Sequence, residues 1–294
     1  LAARPLRLAD ARAVYEVMAA LQGHELGAAE IEEADIVGDW QRPSFDVAAS
    51  TMGVFDGDRL VGYAEYSGGD RADAAVHPEH HGRGIGTALA GWLVDRARSA
   101  GAAAVGMPVP LGHSGDRLLA ALGWRVRWTS WALTLPEGAT IPVREHPEGY
   151  AIREAMPEEY RDAQTVIEDA FLEWSRRDRQ SYEDWAARAV LRPGFEPWML
   201  RVAVDPSGVV VAAALVFLAH LDVVEGYVDQ LATRADQRGR GLAQALLVDA
   251  FTAARAHGAV RSGLATDSRT GALGLYEKVG MVVTQTWVNR AVTV

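Results

Sequence analysis

Arg238-Gly239-Arg240-Gly241-Leu242-Ala243 has the form of a turn met earlier in the chain, His81-Gly82-Arg83-Gly84-Ile85-Gly86. Each copy follows a strand-like run and opens a helical one. Glycines at this point free the backbone to turn its amides outward, where the first amides of a helix have no intrahelical partner and the helix dipole is positive. Main-chain N–H groups hold an anion at such a place, so the two turns predict a polyphosphate cradle in each half of the chain.

The spacing divides the chain. Gly84 and Gly241 stand 157 residues apart, and so do Gly123 in Leu122-Gly123-Trp124 and Gly280 in Val279-Gly280-Met281. Further upstream the offset shrinks to 150 for Val54 and Val61 against Val204 and Val211, and to 146 for Arg7 against Arg153. A period this long marks duplicated domains, and 294 residues suit two of them. The stretch from Pro136 to Pro142, continuing through His146-Pro147-Glu148-Gly149, has no periodicity and reads as a linker. The expected domains are residues 1–137 and 147–294.

Both halves run in one order: a short strand, a helical stretch, a hairpin, a strand, the glycine turn, a long helix, a strand, a short helix and a closing strand. The hairpins turn at Asp56-Gly57 and Asp205-Pro206-Ser207-Gly208, and the long helices span 85–100 and 242–256. The predicted fold class is α+β, with a mixed, mostly antiparallel sheet flanked by helices in each half.

Composition narrows the chemistry. With no cysteine, the chain has no disulfides, thiol nucleophile or thiolate metal site. Its eight histidines are scattered, and the pair His80-His81 sits in a turn instead of at helical i, i+4 spacing, so no metal is expected. A net charge of −10 disfavours nucleic acid and anionic membranes as partners. There is no long apolar run, and Leu1 to Asp10 lacks a signal-peptide core, so a cytoplasmic protein is expected. Lys278 is the one lysine among 29 basic residues, so arginine richness reflects genome composition more than function.

The second turn, followed by Leu275-Tyr276-Glu277-Lys278-Val279-Gly280-Met281, resembles the GNAT superfamily of acyl-CoA-dependent N-acyltransferases. Its hallmarks are a Q/R-x-x-G-x-G/A turn and a downstream L-Y-E-K-x-G-F segment. The resemblance covers both halves, and the tandem layout is similar to the mycothiol synthase group and its actinobacterial relatives. It implies acetyl-CoA, or another acyl-CoA, as cosubstrate and a small-molecule amine as acceptor. It also implies cofactor contacts at Leu231, Ala232, Thr233, Arg238, Gly239, Arg240, Gly241, Leu242, Ala243 and Tyr276, with His81, Gly82, Arg83, Gly84, Ile85 and Gly86 as the first-half counterpart.

Acyl transfer to an amine needs a base for the ammonium, a donor for the carbonyl oxygen and a proton for the departing thiolate. The resemblance assigns the last role to Tyr276, whose phenol titrates near a thiol, and the donor role to the backbone N–H of Leu231. Where the family often has a glutamate, this chain has Tyr227. Glu225 and Asp229 flank it on the same strand face, Glu225 being preferred as base if the strand bulges. Arg269 replaces a frequent asparagine and either reaches a phosphate or faces solvent.

In the first half, Leu119 replaces the tyrosine, Gly112 replaces Arg269, and Asp70 falls at the base register. That half is expected to assist a catalytic second half. Trp174, Arg176, Arg177, Tyr182 and Trp185 read either as packing and solvated faces or as acceptor-pocket walls. The expected function is N-acetyl transfer in a ternary complex, with a non-catalytic CoA sensor as the alternative; a Rossmann-type binder is disfavoured because the glycine turns come late in each half.

Overall fold

The computed structural model describes residues 1–145, 147–175, 177–220 and 222–294, so His146, Leu221 and the acceptor candidate Arg176 lie outside the described residues. The chain forms two compact units. The first holds residues 1–130 and 286–294, the second residues 131–285.

In chain order the elements are β1 (Ala2–Arg4), α1 (Ala11–Leu26), α2 (Glu33–Trp40), α3 (Val47–Ser50), β2 (Thr51–Asp56), β3 (Arg59–Gly68), β4 (Arg71–Val76), α4 (Ile85–Ser99), β5 (Ala104–Pro110), α5 (Ser114–Ala121) and β6 (Arg125–Leu135). They continue as β7 (Ala151–Glu154), α6 (Tyr160–Leu172), α7 (Tyr182–Arg188), β8 (Leu200–Val204), β9 (Val210–His220), β10 (Val224–Thr233), α8 (Leu242–Ala256), β11 (Arg261–Asp267), α9 (Leu273–Glu277) and β12 (Val282–Thr293).

The first unit's sheet runs β1-β2-β3-β4-β5-β12 and the second's runs β6-β11-β10-β9-β8-β7. Among the described residues most strand pairings are antiparallel, with β4 and β5 a parallel pair in the first unit and β10 and β11 in the second. These two pairs flank the glycine turns, because a strand–turn–helix–strand crossover returns its second strand parallel to its first. The α+β expectation therefore describes both units. Helices cover both faces of the first sheet. Leu89 and Leu93 of α4 pack with Val61 and Val105 on one side, and Val14, Val17 and Trp40 of α1 and α2 pack with Tyr63 on the other. In the second unit β9 is buried continuously from Val210 to Phe217, as a central strand covered on both faces must be. Among the described residues no helix is long and apolar enough to cross a membrane.

The division differs from the expected 1–137 and 147–294 at the closing strands. From Trp287 opposite Pro110 to Thr293 opposite Ala104, β12 pairs antiparallel with β5, and Val288 enters the core of Leu89 and Leu93. Leu133 and Leu135 of β6 are buried in the second core. A sequence repeat fixes which elements recur, whereas the partner of a terminal strand is set by whichever sheet edge can bury its apolar face.

Arg290 ties β12 into the first unit. Its guanidinium donates to a carboxylate oxygen of Asp116 and to the Trp124 carbonyl at 3.0 Å. Burial alone would raise the Asp116 carboxyl, but the Arg290 guanidinium and the Gly112 amide hold it below the usual range. Arg290→Met would leave a buried carboxylate without its cation and is expected to cost about 3 kcal/mol at neutral pH. A carboxyl depressed by folding contributes stability above about pH 4 that is lost as the pH falls through its folded value. Urea unfolding of parent and variant across pH should show a gap that narrows in acid.

Candidate active site

The site of the second unit begins where a parallel pairing ends. β10 and β11 pair from Glu225 opposite Arg261 to Val228 opposite Leu264. At Asp229 a β-bulge interrupts the register with β9, and β10 then continues along β9 through Thr233. Beyond Val228 the two strands part. The Arg234 amide donates to the Val211 carbonyl at 2.9 Å. By the alternation of an antiparallel ladder, the amides of Ala232 and Gln230 point the same way, toward β9, while those of Thr233 and Leu231 face the gap beside β11. Thr233 Oγ1 is buried and has no partner among the described residues.

The turn closes the other end of this gap. Gly239 and Gly241 adopt φ of 75° and 81°, a region that only glycine enters freely, and a Cβ at either would meet nothing within 4 Å. Ala245 makes the first helical bond, 3.0 Å to the Gly241 carbonyl, so the amides of Leu242, Ala243 and Gln244 precede the ladder. Residues 238–241 are exposed. Arg238 spends its side chain within the protein: Nε donates to the Thr233 carbonyl at 3.0 Å, and both terminal nitrogens pair with Glu173 at 2.7 Å. Positive character in the cradle therefore comes from the backbone. These features fit the diphosphate of a coenzyme A thioester, with the pantetheine arm in the gap.

Tyr276 lies on α9, only 8% exposed, and its phenol shares a hydrogen bond with Thr266 of β11. Thr266 is held in turn by Thr270, Oγ1 to Oγ1 at 2.9 Å. Burial pushes the phenol up to about 12, the Thr266 contact opposing the shift.

The two carboxylates expected near Tyr227 separate clearly. Asp229 is exposed at the bulge, beside the parting strands. Glu225 is committed to an ion pair away from the gap, although the strand does bulge. It is buried, lies across Gly263 and accepts from Arg261 Nε, and Arg261 also binds Asp222 at 2.9 Å. Its register partner Arg261 is five residues from Thr266 along β11, roughly 16 Å at strand rise.

Arg269 does not reach toward the cradle: it pairs with Asp267 and covers the Trp174 ring at 4.8 Å. Arg177 is committed to buried Glu168 through two contacts of 2.6 Å. Tyr182 lies under Arg161 at 4.0 Å. Trp185 is buried, but its Nε1 donates to Gln230 Oε1 at 2.9 Å, so it helps fix β10 beside the bulge.

The first unit repeats the backbone. Gly82 and Gly84 have φ of 74° and 79°, again with open space around each. Gly86 instead serves packing, since a Cβ there would meet Leu118 at 2.7 Å. β4 pairs with β5 at Arg71 opposite Gly106. A cavity of 760 Å³ then lies between the turn, α1 and the parted strands. Leu119, in the place of Tyr276, is buried in the core. Asp70 is not at the base position: it sits in the β3–β4 turn and pairs with Arg127. Sequence reasoning missed Asp73, which lines the cavity and corresponds to Gln230 at the 157-residue offset.

The model of the acetyltransferase (GNAT) family matches residues 14–110 and 152–281. A mycothiol acetyltransferase of Salinispora arenicola is 31% identical over 250 residues, 78% of this chain and 77% of that one. A mycothiol acetyltransferase of Thermobispora bispora is 28% identical over 250 residues, 77% and 78% of the two chains. Among solved structures, a GCN5-related N-acetyltransferase from Sphaerobacter thermophilus aligns with a TM-score of 0.75 and 26% identity over 99% of this chain and 95% of that one. A tandem GNAT protein from the clavulanic acid biosynthesis pathway shares the fold, with a TM-score of 0.74 at 19% identity, covering 99% and 98%.

The Tyr276 phenol also marks stability. A group raised by folding contributes stability that is present below its unfolded value, near pH 10, and lost as the pH rises toward the folded value. Between pH 9 and 11.5 the chain should lose about 2 kcal/mol that Tyr276→Phe does not lose, measured as the difference between their urea unfolding curves.

Proposed function

This chain belongs to the GNAT acetyltransferase family and is an acyl-CoA-dependent N-acyltransferase, and from that premise we propose that its second unit transfers an acetyl group to a small-molecule amine by direct attack. The observation that carries this reading is the gap itself. Amides of Leu231 and Thr233 line one edge, and on the other Tyr276 is held by Thr266. When bound, acetyl-CoA supplies an activated acyl group and a thiolate leaving group. The amides at residues 239–244 hold its diphosphate, and Leu231 N–H donates to the oxygen of the carbonyl under attack. Aligned in low dielectric, such a donor stabilises developing charge without reorganising.

Asp229 takes the proton of the ammonium, directly or through one water, because it is the carboxylate at the point where the strands part. Tyr276 returns a proton to the sulfur. Its raised pKa keeps the phenol protonated through neutral and mildly alkaline pH, so there it acts as a proton donor. No cysteine is present to carry an acyl group, so the amine attacks within a ternary complex. The mycothiol acetyltransferases that align with more than three-quarters of this chain support a small-molecule acceptor. The first unit contributes the matching cradle at residues 81–86 and holds a second acyl-CoA.

Release of CoA thiol in the presence of amines tests the proposal. Tyr276→Phe should lower kcat by about 10²- to 10⁴-fold, with the acetyl-CoA dissociation constant, measured by calorimetry, changed by less than about threefold. Equal turnover by parent and variant would remove Tyr276 from the reaction.

A further inference from the structure

Thr270 has one hydroxyl proton and spends it on the Asp267 carbonyl at 2.9 Å, while its oxygen accepts the Ala272 amide at 3.2 Å. At the 2.9 Å contact between the two threonine hydroxyls, Thr266 is therefore the donor. With its own proton spent, Thr266 Oγ1 accepts from the Tyr276 phenol, with which it shares a hydrogen bond. The chain of hydroxyls has one direction: phenol to Thr266, Thr266 to Thr270, Thr270 to a main-chain carbonyl. Thr266 is buried and stands two residues past Leu264, where the pairing of β11 with β10 ends.

The first unit lacks this chain of hydroxyls altogether. At the 157-residue offset Thr266, Thr270 and Tyr276 correspond to Val109, His113 and Leu119. Val109 and Leu119 are buried in one core, so the fold accepts an apolar side chain of threonine's shape at this place. A buried hydroxyl costs desolvation that valine avoids. The hydroxyls occur in the copy that has the phenol, and packing does not require the one at Thr266.

We propose that Thr266 is a positioning residue for the proton transfer: its hydroxyl accepts the phenol's hydrogen before reaction, then turns to donate to the phenoxide left when Tyr276 protonates the departing sulfur. The inference rests on the reading of Tyr276 as proton donor. Asp229 removes one of the ammonium's three protons, the nitrogen lone pair forms the C–N bond, the C–S bond breaks, and the phenol proton passes to sulfur. The nitrogen then holds one proton more than the amide keeps, and this returns to the phenoxide through water. Burial pushes the phenol up to about 12, well above a thiol at about 8.5, so transfer to sulfur runs uphill unless the phenoxide is held. In turning, Thr266 gives up one bond to Thr270, which keeps those to Ala272 and Asp267. A hydrogen bond to an anion is worth more than the neutral one surrendered. The Thr266 contact therefore opposes the upward push of burial.

Two experiments on the full chain test it. In the first, 3-fluorotyrosine, whose phenol titrates lower, replaces tyrosine throughout, and the fluorine resonance lost in Tyr276→Phe identifies the ring. Thr266→Val should raise that ring's titration midpoint, because the phenoxide loses its donor, and Thr270→Val should lower it, because the Thr266 proton is freed for the phenoxide. A midpoint unchanged or lowered in Thr266→Val overturns the inference. In the second, thiol release from acetyl-CoA is followed with hydroxylamine, an amine largely uncharged at neutral pH. Thr266→Val should lower kcat by about 10- to 100-fold with the acetyl-CoA KM changed by less than about threefold, and Thr266→Ser should restore most of the rate. Added to Tyr276→Phe, Thr266→Val should have no further effect. Equal release by parent and Tyr276→Phe rejects the proton-donor reading itself. A slow Tyr276→Phe beside an unslowed Thr266→Val, or the same loss from Thr266→Val with and without the phenol, overturns this inference and leaves that reading standing. Urea unfolding checks that each variant is folded.

Discussion

The proposed reading of the second unit depends on the place where β10 and β11 stop pairing. Parallel strands continue to pair as long as their registers agree, and the bulge at Asp229 ends that agreement by adding a residue and increasing the local twist. Among the described residues, β10 beyond Val228 has a strand partner on the β9 edge only, and Arg238 Nε takes the Thr233 carbonyl on the other. The unspent amides would be a liability in a closed core. In an open gap they are preorganised donors, and the strand that carries them leads directly into a turn whose amides are also unspent. On the proposed reading, one interruption of a ladder supplies the carbonyl donor, the channel and the cradle in a single run of backbone.

Side chains around that run are largely withdrawn from ligand contact. Arg238 is engaged by Glu173, Arg269 by Asp267 and Arg177 by Glu168. Pairs as exposed as Arg238 with Glu173 contribute little to stability. Their effect is to orient: Arg238 Nε holds the Thr233 carbonyl, fixing the end of β10 against the start of the turn. An acidic protein can therefore present a local anion site without a basic surface.

Much of this was legible in the sequence, for identifiable reasons. Glycine at positive φ has few substitutes, so the turns announced themselves, and the helix 242–256 was bounded by glycines at both ends. Tyr276 was singled out by the resemblance of its segment to a family motif. Partnerships between distant residues were not legible. Nothing in the local sequence around Glu225 says that Arg261 lies opposite it, since parallel register is set by the crossover and not by either strand. The allegiance of β12 was hidden for the same reason. Asp73 escaped because the repeat places glutamine at its counterpart, so the carboxylate is a property of one copy alone.

That asymmetry is itself informative. The backbones of the two turns agree within a few degrees, yet the strands beside them differ in charge: Glu65 faces Asp73 in the first unit, and Leu215 faces Gln230 in the second. Opposed like charges destabilise a sheet, and burial adds desolvation for each carboxylate. Leucine and glutamine at the same two places carry neither penalty, and the second unit shows that the fold accepts them. Folding therefore does not require the acidic pair. The two units therefore differ in the side chains that each brings to one shared backbone.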